Sequence, residues 1–228
     1  DEYFRSGIEL LEQGDADRAL VEFRNVFEFD SSHMPTRLAM GNLFLEQDNP
    51  NAAYTQFLRV ADLDGDGFDD VVTLDLFQRE LAFLAGRADG GLDFVSSLPL
   101  EPTVVETPGA FELGDFDGDG DLDVVAALFG ADELRLFENQ GALPLVPTPL
   151  AVETAAGPRG VDVADFDSDG NLDVVVANAG SSTIEVFFGD GALGLTVGGS
   201  VAVPAEPLAI EAADLDDDGD PDVAVSLG

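Results

Sequence analysis

Over the first sixty residues, apolar positions recur every three or four places. Breaks at Gly14-Asp15 and Asp48-Asn49-Pro50 cut that pattern into short segments. Such spacing predicts helices joined by polar turns. From Ala61 onward the texture changes. Short β-branched runs, such as Val124-Val125-Ala126-Ala127-Leu128 and Val174-Val175-Val176-Ala177, alternate with clusters of Gly, Pro and Asp. This texture predicts strands separated by tight turns. The chain therefore reads as a helical segment over residues 1–60 followed by a mainly β segment over 61–228.

Each segment repeats itself, with its own period. At a shift of 34, Gly7 pairs with Gly41, Leu11 with Leu45, Glu12 with Glu46, Gln13 with Gln47, Ala19 with Ala53, Phe23 with Phe57 and Val26 with Val60. The small-large-small-aromatic positions Gly7, Leu10, Ala19 and Phe23, then Gly41, Phe44, Ala53 and Phe57, resemble two tetratricopeptide repeat units. Ser31 stands where that repeat usually closes with Pro. In the β segment the period is about 50: DLDGDGFDD starts at Asp62, DFDGDGDLD at Asp115, DFDSDGNLD at Asp165 and DLDDDGDPD at Asp214. Between these anchors an apolar strand follows each loop. Then come a strand ending in Gly (Thr183 to Gly189), a looser one (Leu195 to Val203) and one entering the next loop (Leu208 to Ala213). Four strands per repeat is the content of one propeller blade. The predicted fold is mainly β, a partial β-propeller of four-stranded blades with an N-terminal α-helical repeat.

The nonapeptide carries the chemistry. Carboxylates at positions 1, 3 and 5 face one side of a tight loop, position 7 offers a backbone carbonyl, and position 9 adds a carboxylate able to bind through both oxygens. That is a set of hard oxygens suited to Ca²⁺. The predicted ligands are Asp62, Asp64, Asp66, Phe68 and Asp70; Asp115, Asp117, Asp119, Asp121 and Asp123; Asp165, Asp167, Asp169, Asn171 and Asp173; and Asp214, Asp216, Asp218, Asp220 and Asp222. About four calcium ions follow. An EF-hand would need Glu at position 12 and a helix behind it; Thr73, Ala126, Val176 and Val225 stand there, inside β-type runs.

This pattern resembles the FG-GAP/VCBS repeat of integrin-type β-propellers, over residues 61–228. The Phe-Gly signature is present at Phe188-Gly189 and echoed at Phe129-Gly130, whereas Leu84-Ala85-Gly86 and Phe137-Glu138-Asn139 depart from it. The resemblance implies calcium between the first two strands of each blade and binding surfaces on the opposite rim. About three blades and a truncated fourth are expected. Unpaired edges are expected at Asp70–Leu74 and Val223–Leu227, open to self-association. At the junction the helical register claims Phe57-Leu58-Arg59-Val60, so a helix to about Val60 and a first blade without its inner strand are expected.

Composition narrows the function. The chain has 228 residues, 47 acids, nine bases (all Arg) and a formal net charge of −38. Twenty of those acids lie in the four loops; the excess of the rest would suit a salty habitat. Nucleic acids and anionic membranes are repelled by such a surface. No apolar run approaches the ~18 residues of a membrane span. Zero Cys removes disulfides and thiolate chemistry. The single His33 lies in a polar turn. No nucleophile–base pair is identifiable. The chain opens at Asp1 without Met, as a processed or excised piece would. The leading expectation is a secreted or cell-surface, non-catalytic calcium scaffold, with protein or glycan partners in adhesion or assembly. The alternatives are a propeller-based polysaccharide-active enzyme and a peptide-docking adaptor working through the helical repeats.

Overall fold

In the computed structural model the described residues are 2–12, 18–19, 22, 58–75, 79–100, 108–143, 145, 150–216 and 218–228. The chain divides into two compact units, Asp1–Phe57 and Leu58–Gly228. In the first, α1 spans Glu2–Glu12. It buries Gly7 and Leu10 and exposes Tyr3, Arg5 and Glu9, as a one-faced helix should. Among the described residues of this unit α1 is the only complete helix, so a pair of helix-turn-helix repeats is not shown. The positions Gly41, Phe44, Leu45, Ala53 and Phe57 of the expected second helical repeat, with Phe23, Val26, Ser31 and His33, lie outside the described residues.

The second unit is a succession of antiparallel meanders. The first sheet holds β1 (Leu58–Ala61), β2 (Asp70–Asp75), β3 (Glu80–Gly86) and β4 (Leu92–Pro99) in that order. The second holds β5 (Pro108–Gly114), β6 (Asp123–Leu128), β7 (Glu133–Phe137) and β8 (Leu150–Glu153). The third holds β9 (Pro158–Ala164), β10 (Asp173–Asn178), β11 (Thr183–Gly189) and β12 (Leu195–Ala202). A two-stranded sheet of β13 (Pro207–Ala213) and β14 (Asp222–Leu227) follows. These four-stranded antiparallel sheets are the blades of a partial propeller, and none closes on itself.

The second strands of the four-stranded sheets are the core. Every residue of β6 and β10 is buried, which is why both read as continuous apolar runs. The period of two sorts their side chains between neighbouring sheets. Val174 and Val176 pack with Val125, Ala127, Leu134 and Leu136 of the second sheet. Val175 and Ala177 turn the other way, onto Ile210, Val223 and Val225. A repeated backbone device closes the end of each four-stranded sheet away from the acidic loops. Arg79, Asp132 and Ser182, just before the third strands, have φ of 58°, 55° and 53°. Their carbonyls accept the N–H groups of Leu100, Thr154 and Val203, just past the fourth strands, at 2.8, 2.9 and 2.9 Å.

The junction corrects the expected helix to Val60. Residues 58–61 are strand β1, in register with β2 from Leu58↔Thr73 to Ala61↔Asp70. The first blade therefore has its inner strand, and β2 is flanked on both sides by β1 and β3. The free edge expected at Asp70–Leu74 does not exist. The physical reason is that the buried backbone of β2 must be hydrogen-bonded on both sides, which outweighs a weak local helical period. Arg59 adds to it by pairing with Glu112 of β5, its guanidinium lying 5.7 Å from the Phe111 ring centroid.

Candidate metal centre

Each acidic nonapeptide is the hairpin between the first two strands of a sheet. The loops at 62–70, 115–123, 165–173 and 214–222 link β1 to β2, β5 to β6, β9 to β10 and β13 to β14. Their geometry is built from backbone N–H groups aimed at carboxylates. Position 1 receives the position 6 amide: Gly67 to Asp62, Gly120 to Asp115, Gly170 to Asp165 and Gly219 to Asp214, at 3.0, 3.1, 2.9 and 3.0 Å. Position 3 receives the position 5 amide in all four, as in Asp119 to Asp117 at 3.2 Å. Position 5 receives the position 7 amide, from Phe68, Asp121, Asn171 and Asp220, at 2.8–3.0 Å. The chain turns back at position 6, where φ is 89°, 96°, 93° and 95°; glycine enters that region at no steric cost.

The outcome is convergence. Oxygens of Asp62, Asp64 and Asp66 lie within 4.8 Å of one another, as do those of Asp115, Asp117 and Asp123, of Asp165, Asp167 and Asp173, and of Asp214, Asp216 and Asp218. Position 9 joins the cluster in the second and third loops, position 5 in the first and fourth. The donors are carboxylate oxygens throughout. Such a hard-oxygen set fits a cation of the calcium type, bound at about 2.3–2.6 Å by six to eight oxygens.

Crowded carboxylates resist ionisation. The carboxyls of Asp64 and Asp117 are held above their ordinary range first by desolvation in the turn, then by neighbouring carboxylates. Asp167 is raised in the same order of causes. Asp123 is pushed up to about 6. Burial is the cause, opposed by N–H bonds from Asn139 and Phe116 and reinforced by Asp117 and Asp119.

Position 9 has a second task that its place in the motif does not reveal. Asp70, Asp123 and Asp173 are fully buried. One oxygen of each accepts the position 2 amide, Leu63, Phe116 or Phe166, at 2.8, 3.0 and 2.7 Å. The other accepts an amide at the end of the third strand, Gly86, Asn139 or Gly189, at 2.7, 2.8 and 2.8 Å. The carboxylate thus staples the loop to the third strand, and in the second and third loops it also joins the cluster. In the fourth loop, Asp222 keeps the Leu215 bond at 3.1 Å.

The repeat has relatives. The FG-GAP-like repeat matches three times, at residues 62–126, 115–176 and 165–225, each match running from one acidic loop through the next. No curated protein matches the chain in sequence. Among solved structures, a putative 6-phosphogluconolactonase from Bacteroides fragilis is 19% identical with a TM-score of 0.51, over 66% of this chain and 40% of its own. The V. cholerae biofilm matrix protein Bap1 is 19% identical (TM-score 0.49; 75% of this chain, 24% of its own). The periplasmic gluconolactonase PpgL of Pseudomonas aeruginosa is 21% identical (TM-score 0.47; 75% and 42%). The chain spans less than half the length of each.

Proposed function

Because the chain belongs to the FG-GAP-like repeat family over residues 62–225, we propose that it is a calcium-loaded, non-catalytic scaffold acting outside the cell. One observation carries the reading: a cluster of three carboxylates, always including positions 1 and 3, recurs in every β-hairpin that leads from a first to a second strand. Negative charges held within 4.8 Å of each other repel strongly without a cation between them. About four ions are proposed, one per loop, with the position 1, 3, 5 and 9 carboxylates and the position 7 carbonyl as ligands. Such ions would lock the hairpins, hold blade edges in place and lower the net charge. The millimolar calcium outside cells suits surface loops of this kind better than the cytosol does. The partners proposed are proteins or glycans of a surface or matrix, and further copies of the chain joined at the β14 edge. The test is thermal unfolding in calcium and in chelator. At calcium 100 times the dissociation constant each independent site adds about 2.7 kcal/mol. A melting temperature that ignores the chelator removes the reading.

A further inference from the structure

The second blade departs from its sisters where its third strand ends. Gly86 and Gly189 hold that place in the first and third blades, and a Cβ there would meet the position 8 carbonyls of Asp69 and Leu172 at 2.3 and 2.1 Å. In the second blade the residue is Asn139, fully buried. Here β7 stops at Phe137, two residues short of the staple, whereas β3 and β11 run to the glycine itself. The Asn139 backbone amide still binds Asp123 at 2.8 Å. Its side-chain Nδ2 does what no glycine could. It donates to the carbonyl of Leu63 at 2.7 Å and to that of Leu122 at 3.2 Å, while its Oδ1 accepts the Gly141 amide at 3.2 Å.

Leu63 is position 2 of the first loop, between Asp62 and Asp64, and its own amide holds Asp70. Leu122 and Asp123 are positions 8 and 9 of the second loop. A continuous chain of hydrogen bonds therefore runs from the Asp70 carboxylate through Leu63 and Asn139 to the Asp123 carboxylate and on to Phe116. We propose that Asn139 is a positioning residue coupling the first two metal loops, so that an ion in one raises the affinity of the other. The inference rests on the calcium reading above. An ion in the first loop fixes the Leu63 carbonyl, which fixes the Asn139 amide, which fixes the last two positions of the second loop. The ordering cost of the second loop is then partly met in advance, and the effect is reciprocal. Between the second and third loops the equivalent carbonyl, that of Phe116, receives the Leu193 amide at 3.4 Å, a longer and weaker link. Coupling is therefore ordered: first with second above second with third.

The experiment is a calcium chloride titration of the metal-free full chain, followed by ¹H–¹⁵N NMR. The position 6 amides of Gly67, Gly120, Gly170 and Gly219 each bond a position 1 carboxylate, so each reports its own loop. Asp117→Asn, which impairs the second loop, is expected to weaken calcium binding at Gly67 by about five-fold or more, and Asp167→Asn to leave it within about two-fold. Asn139→Gly, the residue the sister blades use, is expected to abolish the effect of Asp117→Asn on Gly67 while leaving calcium binding at Gly170 unchanged. If Gly67 titrates identically with and without Asp117→Asn, the coupling is overturned and the calcium reading stands. If no glycine amide responds to millimolar calcium, both fall. Should Asn139→Gly fail to fold, the Asp117→Asn comparison in the native background decides alone.

Discussion

At the scale of single residues, the carboxylates of the loop divide into those that only line the acidic cluster or its turn and one, at position 9, that also holds the fold. Asp169 at position 5 is exposed, whereas Asp173 at position 9 is buried with both oxygens accepting backbone amides. Asp173→Asn sets an NH₂ against one of those donors and leaves a buried amide unsatisfied, a cost of about 1–3 kcal/mol. It is expected to lower the melting temperature in chelator as well as in calcium. Asp169→Asn is expected to act almost wholly in calcium, by shrinking the calcium-induced rise. Melts of both variants under both conditions check this; equal losses in chelator would remove the distinction. The motif shows that position 9 bears a carboxylate. It does not show the staple, because the partner amide lies sixteen residues further on. In the second loop the residue at this position sets a pH response. Burial pushes the Asp123 carboxyl up to about 6 in the fold against about 3.9 in an unfolded chain, so between these values the folded state holds the extra proton. Its contribution to metal-free stability is fully present below about pH 3.9 and is lost as pH rises through 6. Chelated protein is expected to melt higher at pH 5 than at pH 7. Calcium-loaded protein should show the reverse, since a protonated Asp123 competes with the ion. Parallel slopes in the two conditions would contradict the assignment.

At the scale of elements, what was legible was what is local. The acidic turns, the apolar second strands and the four-strand rhythm all follow from residues within a few places of one another, and the sheets carry them. Strand β1 was not legible, because Leu58-Arg59-Val60 satisfies a helical period locally and its strand pairing depends on β2, with Arg59 reaching Glu112 some fifty residues away. Asn139 was visible only as a break in the Phe-Gly signature; its link to Leu63 spans 76 residues. The glycine of that signature is explained by the third-strand staple. Its Cβ would stand 2.1 Å from the Leu172 carbonyl at Gly189, where only a shift of backbone could make room. Gly189→Ala is expected to destabilise by about 1–3 kcal/mol through overpacking, in chelator and calcium alike. Gly199, on β12 with nothing within 4 Å of its Cβ position, is the control: Gly199→Ala is expected to be neutral or slightly stabilising. Thermal melts of the two variants check it, and equal stability would mean that the hairpin end is looser than the structure has it.

At the scale of the whole molecule, charge and edges oppose each other. A net charge of −38 drives copies apart and strains the compact state. Four bound Ca²⁺ would add eight positive charges, leaving about −30 (−38 + 8), with the relief concentrated at the loops. Among the described residues β14 pairs with β13 alone, and in the 228-residue chain taken by itself its outer edge has backbone groups that a further strand, from a continuation or from another copy, would pair. From Val223 to Leu227 that strand carries no charge. Val223 and Val225 are already packed into the third sheet, which holds the edge straight. Asp222 also marks the register a fourth-blade partner would take, since Gly86, Asn139 and Gly189 each bring an amide to the matching carboxylate. Calcium ordering the 214–222 loop would align this edge, and screening would let a second copy approach it. Self-association is therefore expected in calcium and not in chelator, and it should weaken in Ala224→Lys, which places a charge on the exposed face of β14 without touching a loop ligand. Light scattering across a concentration series reads the outcome directly. A calcium-saturated chain that stays monomeric at high concentration would remove assembly through this edge. Association that persists in Ala224→Lys would move the contact elsewhere, to a surface such as the uncharged outer strand β12, where Val197 and Val201 are each 66% exposed.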